Sequence, residues 1–376
     1  MLSVKLGNCI KEVVEKTTEN NQYEVLSVTK DGIFSQKEFF KKQIASKNNI
    51  GYKVIRKNNL VFSTMNLWMG SLDVLTNYEI GIVSPAYKIF EFNKELMLPE
   101  FANYFMKSHY MIEKYKDCSE QGASIVRRNL NLKQLLNIKI NIPEVQEQKQ
   151  IADALEKVDN IIKDYEKLII DKDQMIKSQF VEMLKRSKLK EYKLSKIAKY
   201  WNGQTYKPTD INDQGMIVLR SSNIQNNELD FNDIVRINND IKSKNIVKEN
   251  DILMCSRNGS ANLVGKVAII KNIPEKMCFG TFMMIIRSNY YKFLYYYFQS
   301  KEFRKNISVE TTTQINQITV NMLDKVVVKI PENNEMEKFI LIEELIDKQK
   351  FELEKQKKNY ELLKKGIMQK LIDEQQ

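Results

Sequence analysis

The sequence predicts an α+β fold with a pseudo-twofold internal repeat, in which two mixed α/β domains are each followed by a long α-helix. Three observations carry this. Ile142-Pro143-Glu144 recurs as Ile330-Pro331-Glu332 at an offset of 188 residues; Glu147/Glu335, Ile151/Phe339, Val158/Ile346 and Asp159/Asp347 stay in step without a gap, and Lys5-Leu6 matches Lys193-Leu194 at the same offset. Each proline opens a lysine- and glutamate-rich run whose apolar residues recur at three- and four-residue spacing, the mark of a helix seam. Each run is preceded by short β-like segments bounded by turn residues. The expected boundaries are 1–142 for the first domain, 143–186 for its helix, 187–330 for the second domain and 331–376 for the second helix.

In the first domain, Glu24–Val28, Tyr52–Ile55, Leu60–Ser63 and Gly81–Ser84 read as strands. From Pro99 the spacing turns helical, and Phe101, Tyr104, Phe105, Tyr110 and Ile112 predict one amphipathic helix with its aromatics in the core. Residues 122–136 read as a polar loop carrying Arg127 and Arg128, and Ile138–Ile142 as a strand. Pro143 then disfavours helix at the residue before it and suits a helix start just after.

The first long helix carries a seam of Ile151, Leu155, Val158, Ile162, Tyr165, Ile169 and Ile176. About 40 residues at 1.5 Å each make a rod of roughly 60 Å, which needs a partner along its length. The second rod offers Phe339, Ile346, Leu353, Tyr360 and Ile367 every seven residues, whereas the first turns polar at Lys172 and Gln179. Two matched rods in one chain can close on each other as an antiparallel coiled coil, and Leu168, Met175, Phe180, Leu362 and Met368 leave apolar surface for another protein as well. Between the rods, Met216–Arg220, Ile252–Cys255, Gly265–Ile270 and Thr281–Ile286 read as strands, Phe293–Ser300 as a helix and Lys325–Ile330 as a final strand.

Composition narrows the function. The chain has 376 residues, a net charge of +11 and 43% hydrophobic content, and no apolar run long enough for a membrane span or a signal peptide, so a cytoplasmic protein that meets a polyanion is expected. Cys9, Cys118, Cys255 and Cys278 form no CxxC pair and read as buried thiols. His109 is the single histidine and has no signalled nucleophile beside it. No phosphate-binding GxxxxGK[ST] loop, dinucleotide GxGxxG, HExxH or Pro-Pro pair occurs, and the acidic pair Glu343-Glu344 reads as a solvated rod face. The chain is expected to be neither an enzyme nor a metal protein, and to hold no cofactor.

Arg128-Asn129-Leu130, then Ile140-Asn141-Ile142-Pro143-Glu144 and Glu147-Gln148-Lys149-Gln150-Ile151-Ala152, resemble the junction between a target recognition domain and a spacer helix in the specificity (S) subunit of Type I restriction-modification enzymes. The second junction is looser, because Met336-Glu337-Lys338-Phe339 replaces the Glu-Gln-x-x-Ile pattern. Asp251 to Gly259 followed by Gly265-Lys266-Val267-Ala268 is similar to the strand-loop-strand of such domains, while Ser63 to Trp68 lacks its arginine and glycine. The resemblance implies double-stranded DNA as partner, with one half of a split site per domain and the rods as spacer. It also implies two methyltransferase (M) subunits on the rods and restriction (R) subunits in the complex, with S-adenosylmethionine, Mg and ATP confined to those partners.

Base reading calls for arginine or lysine toward guanine and asparagine or glutamine toward adenine. Arg220, Ser221, Ser222 and Asn223, then Arg257, Asn258 and Ser260, follow strands in polar loops and are the leading candidates; Gln204, Tyr206 and Lys207 form a third set. In the first domain Lys30, Lys41, Lys42, Arg56, Lys57 and Asn58 suit phosphates, and Asn66 and Trp68 occupy the loop corresponding to Arg257. Trp68 suits the core equally, and Arg127 and Arg128 suit either phosphate anchoring or a local ion pair. Two other classes compete: a protein-only scaffold with two peptide-binding domains on a coiled coil, and an enzyme with an unfamiliar nuclease or methyltransferase site.

Overall fold

The computed structural model describes residues 1–29, 32–39, 48–121, 128–307, 310–311 and 316–373. The chain divides into two compact units, one of residues 1–168 with 352–376 and one of residues 169–351. Each unit therefore holds one domain and a half of each rod.

In the first unit a four-stranded antiparallel sheet runs in the order Ile10–Glu12, Tyr87–Phe92, Leu60–Ser63, Leu72–Val74. The hairpin Leu26–Thr29/Gly32–Ser35 and the antiparallel pair Lys53–Arg56/Ile80–Val83 add a second small core around Leu26, Ile55, Val61 and Ile89. The helical stretch from Pro99 breaks in two, Pro99–Phe105 and His109–Asp117, because the Ser108 hydroxyl caps the second helix by accepting a bond from the Met111 N–H. From Arg128 on, the expected polar loop before the rod forms regular elements. Arg128–Leu130 is a strand, and Asn131 caps the helix Leu132–Asn137 through the Gln134 N–H.

The domain closes where it began. Leu2–Lys5 pairs antiparallel with Lys139–Ile142, Leu2 opposite Ile142, and the chain passes Pro143 into the first rod, Val145–Arg186. Gln148 is fully buried there; its amide donates to the carbonyls of Leu96 and Pro143 at 2.7 and 2.9 Å and accepts from the Leu98 N–H at 2.9 Å. One side chain thus fixes the rod to the loop that launches the domain's helix. Phe62, Phe90, Phe101, Phe105 and Tyr115 share a core with Ala152 and Leu371 of the two rods.

The second unit repeats the plan. Its sheet order is Lys199–Asn202, Met283–Arg287, Ile252–Cys255, Val267–Ile269, and Leu189–Lys193 pairs with Val327–Pro331 so that Lys190 faces Ile330, the register of Leu2 and Ile142 shifted by the repeat. It adds a three-stranded sheet in which Ile211–Leu219 pairs with Arg236–Ile237 antiparallel and with Met277–Phe279 in parallel. The second rod is Asn333–Asp373.

Within each unit the rods run antiparallel. The first unit pairs Asp159 with Lys364 at 2.6 Å, Glu166 with Lys357 at 3.0 Å and the rings of Tyr165 and Tyr360 at 5.8 Å. The second pairs Asp173 with Lys350 at 2.6 Å, and Lys172 donates to Gln349 at 2.7 Å, so the polar break in the seam is a hydrogen-bonded crossing. Phe180 is buried against Phe293, Tyr296 and Phe339. Glu343, expected on a solvated face, is buried instead, its carboxylate 3.1 Å from Lys292 and 3.3 Å from the Tyr296 hydroxyl.

Candidate nucleic-acid interface

In the second unit, strand Ile252–Cys255 ends in a loop that returns to Val267–Ile269 through Gly265, whose φ of +81° is left-handed and whose missing Cβ leaves room for the Arg304 guanidinium. That guanidinium donates to the Val264 carbonyl at 2.7 Å. Held at its base, the loop exposes Gly259, Ser260, Ala261 and Asn262. Asn258 bridges the two leading candidate sets: its carbonyl oxygen accepts from the Ser260 N–H at 2.9 Å, and its amide donates to the Ser221 hydroxyl at 3.3 Å. Arg257, half-exposed, has no ion pair among the described residues, and its backbone pairs with Gln317. A free guanidinium on a fixed strand suits bidentate base reading.

The other candidates divide by what already occupies them. Asn223 belongs to the fold: it is buried, accepts from the Arg220 N–H and donates to the carbonyls of Asp230 and Asp233, each at 2.9 Å. Arg220 Nη2 lies 2.8 Å from Asp233 Oδ2, an ion pair without an aligned hydrogen bond, and its Nε is buried without a hydrogen-bond partner. The Ser222 hydroxyl is buried. Gln204 is held between Asp240 and Asn245, and Tyr206 packs near Val218, Ile237 and Cys278. Lys207 is exposed, its backbone N–H capped by Asp210. Lys242 and Lys244, not singled out from the sequence, stand just before and within the short helical turn Ser243–Asn245, which Asn245 ties to Gln204, and both are exposed.

The first domain's counterpart loop, from Ser63 to Leu72, also returns through a left-handed glycine, Gly70 at φ +82°. A short helical turn, Leu67–Met69, carries Trp68 half-exposed, and the Arg128 guanidinium lies 4.4 Å from its ring centroid. Trp68 is therefore neither wholly core nor free, and Arg128 has a stacking partner in place of an ion pair. Asn66 is half-exposed, with its carbonyl turned into the same loop. Arg56 forms a forked pair with Glu15 and Lys57 pairs with Glu79 at 2.5 Å, while Asn58 supplies the turn's left-handed residue at φ +69°. Lys30, Lys41, Lys42 and Arg127 lie outside the described residues.

Catalytic chemistry finds little footing. Burial pushes the thiols of Cys9, Cys255 and Cys278 up to about 11, and His109 is exposed beside Glu113. Among the described residues no cluster of three or more His, Cys, Asp or Glu has the placement of a metal site.

Two mixed domains, each packed on a paired stretch of antiparallel rods and each carrying a polar loop that returns through a left-handed glycine, define a duplicated recognition protein. The family model for the Type I restriction modification DNA specificity domain matches residues 5–172 and again 186–364, so the chain belongs to that family and carries its domain twice. As a member of that family, it has a role in DNA recognition. It is 28% identical over 152 residues to the EcoKI specificity subunit of Escherichia coli K12, a match spanning 37% of this chain and 32% of that one. It is 25% identical over 321 residues to the MjaVIII specificity subunit of Methanocaldococcus jannaschii, covering 78% of this chain and 73% of the relative. A solved chain described under assembly and conformational transition of the type I R-M system superposes with a TM-score of 0.58 at 15% identity, covering 98% of this chain and 97% of that one, which supports the fold.

Proposed function

We propose that the chain is the specificity subunit of a Type I restriction-modification complex, with each domain reading one half of a bipartite DNA site and the rods carrying the methyltransferase subunits. The observation that carries this is the repeated junction: Leu2 opposite Ile142 and Lys190 opposite Ile330 launch both rods from equivalent strands, while the loops those domains expose differ. Like scaffolds with unlike loops suit two half-sites of different sequence. The rods keep large apolar side chains exposed, Ile170, Leu341, Leu345 and Phe351 in one unit and Leu168 and Leu362 in the other, which is surface fit for partner subunits. S-adenosylmethionine, Mg and ATP would enter with the M and R subunits. Among the described residues no helix is long and apolar enough to cross a membrane.

Titration of a fluorescent duplex carrying the mapped site against the M-containing complex tests the reading. Lysine and arginine contacts to phosphates predict tight binding at about 50 mM salt and a loss of at least about tenfold by about 200 mM. No binding at the lower salt would favour the peptide-scaffold reading instead. Turnover of DNA by the isolated chain would favour an enzyme.

A further inference from the structure

We propose that Phe282 reads the second domain's half-site through an apolar contact to a thymine methyl group. This rests on the second domain being a DNA reader, and it adds a residue that charge and hydrogen-bonding logic pass over. Phe282 is 51% exposed, immediately before the strand Met283–Arg287. Its backbone is held firmly: the carbonyl accepts from the N–H groups of Ser256 and Arg257 at 2.9 and 3.1 Å and from the Ser256 hydroxyl at 2.9 Å. The neighbouring Thr281 hydroxyl bonds that of Thr205 at 2.9 Å.

Those bonds fix the Phe282 backbone against Ser256 and Arg257, next to Asn258, whose amide reaches Ser221, and leave the ring exposed. An isolated exposed phenylalanine needs no explanation on an ordinary surface. One mounted by three hydrogen bonds from the backbone and side chain of the leading base-reading loop is different. Arginine and asparagine address guanine and adenine edges in the major groove, and the thymine methyl is the apolar feature of the same groove, suited to a phenylalanine.

The first domain sharpens the point. Cys255 faces Met283 in the second sheet as Ser63 faces Tyr87 in the first, so the residue corresponding to Phe282 is Ala86, also exposed. On matched scaffolds the two domains differ here by an aromatic ring.

The experiment uses the complex with its M subunits and duplexes carrying the mapped site, in which each thymine of the second domain's half-site is replaced singly by deoxyuridine, which lacks only the methyl group. Wild type should lose about three- to tenfold in affinity at one position. Phe282→Ala should bind the thymine duplex weaker by the same factor and be indifferent to deoxyuridine there, with an unchanged urea midpoint. A half-site without any A·T pair would overturn the proposal. So would a Phe282→Ala complex that keeps wild-type affinity or keeps the wild-type deoxyuridine response. Absence of DNA binding by wild type would instead strike the parent reading.

Discussion

The Lys292 ammonium sits 3.1 Å from the Glu343 carboxylate and 2.7 Å from that of Glu344, joining the second domain's helix to the second rod. Burial opposes the charge on Lys292, but the hydrogen bonds it donates to Glu344 and Glu343 outweigh it and hold its pKa above the ordinary lysine value. At the corresponding place the first rod has Leu155, fully buried. Glu343→Leu alone should leave Lys292 only the exposed Glu344 and take the partner of the buried Tyr296 hydroxyl, costing about 1.5 to 3 kcal/mol, whereas Glu343→Leu with Lys292→Met should recover most of it. Urea unfolding of the two variants checks this, and a double variant as unstable as the single one would contradict it.

Gln148 supports a second prediction. Gln148→Ala leaves the Leu98 N–H and the Leu96 and Pro143 carbonyls without this partner in a dry place, costing about 2 to 4 kcal/mol. The second junction has Met336 at this position, so it should be untouched. Limited proteolysis followed by mass spectrometry would show early cleavage confined to residues 1–142.

Phe180→Ala should be among the most damaging single truncations in the rods, about 3 to 5 kcal/mol, since it removes the ring that Phe293, Tyr296 and Phe339 enclose. Met368 holds the same repeat position in the other rod but is only half-buried, and Met368→Ala should cost less than half as much in the same thermal or urea measurement.

The four cysteines should resist alkylation. All are buried, and burial raises their pKa values, to about 11 for Cys9, Cys255 and Cys278. A raised thiol pKa means less thiolate at pH 8, so iodoacetamide should label the folded chain slowly and the urea-unfolded chain at all four sites. Rapid labelling of folded protein would show that one of them is reached by solvent.

The long-range plan was legible because it is written in long periods. A 188-residue repeat and a heptad ladder sustained from Phe339 to Ile367 survive local exceptions, and the rods begin at Val145 and Asn333, two residues past the prolines that announce them. Local interruptions were less legible. Ser108 splits an amphipathic pattern that reads as one helix, because its cap acts through a single hydroxyl while the aromatic spacing continues across it. Non-local pairing was least so. Nothing near Glu343 in sequence announces Lys292, 51 residues away, and the parallel pairing of Ile211–Leu219 with Met277–Phe279 has no local signature.

The candidate site shows the same limits. Residue type picked out Arg257 and Asn258, which lie half-exposed on a short strand, but it could not separate them from Asn223, whose three hydrogen bonds consume its amide inside the fold. Phe282 was missed for the opposite reason. Its sequence context, Thr281-Phe282-Met283-Met284, reads as a buried strand, whereas the strand starts two residues later, at Met283, and leaves Phe282 exposed.

The central claim is that two unlike domains on equivalent junctions each read one half of a split site. Methylation mapping in cells carrying this chain with its M and R partners, before and after residues 195–320 are exchanged for another recognition domain of the family, tests it most directly. The account predicts a motif of two short specified blocks separated by unread bases, with the exchange altering one block and leaving the other intact. A single continuous motif, or an exchange that rewrites both blocks, would contradict it.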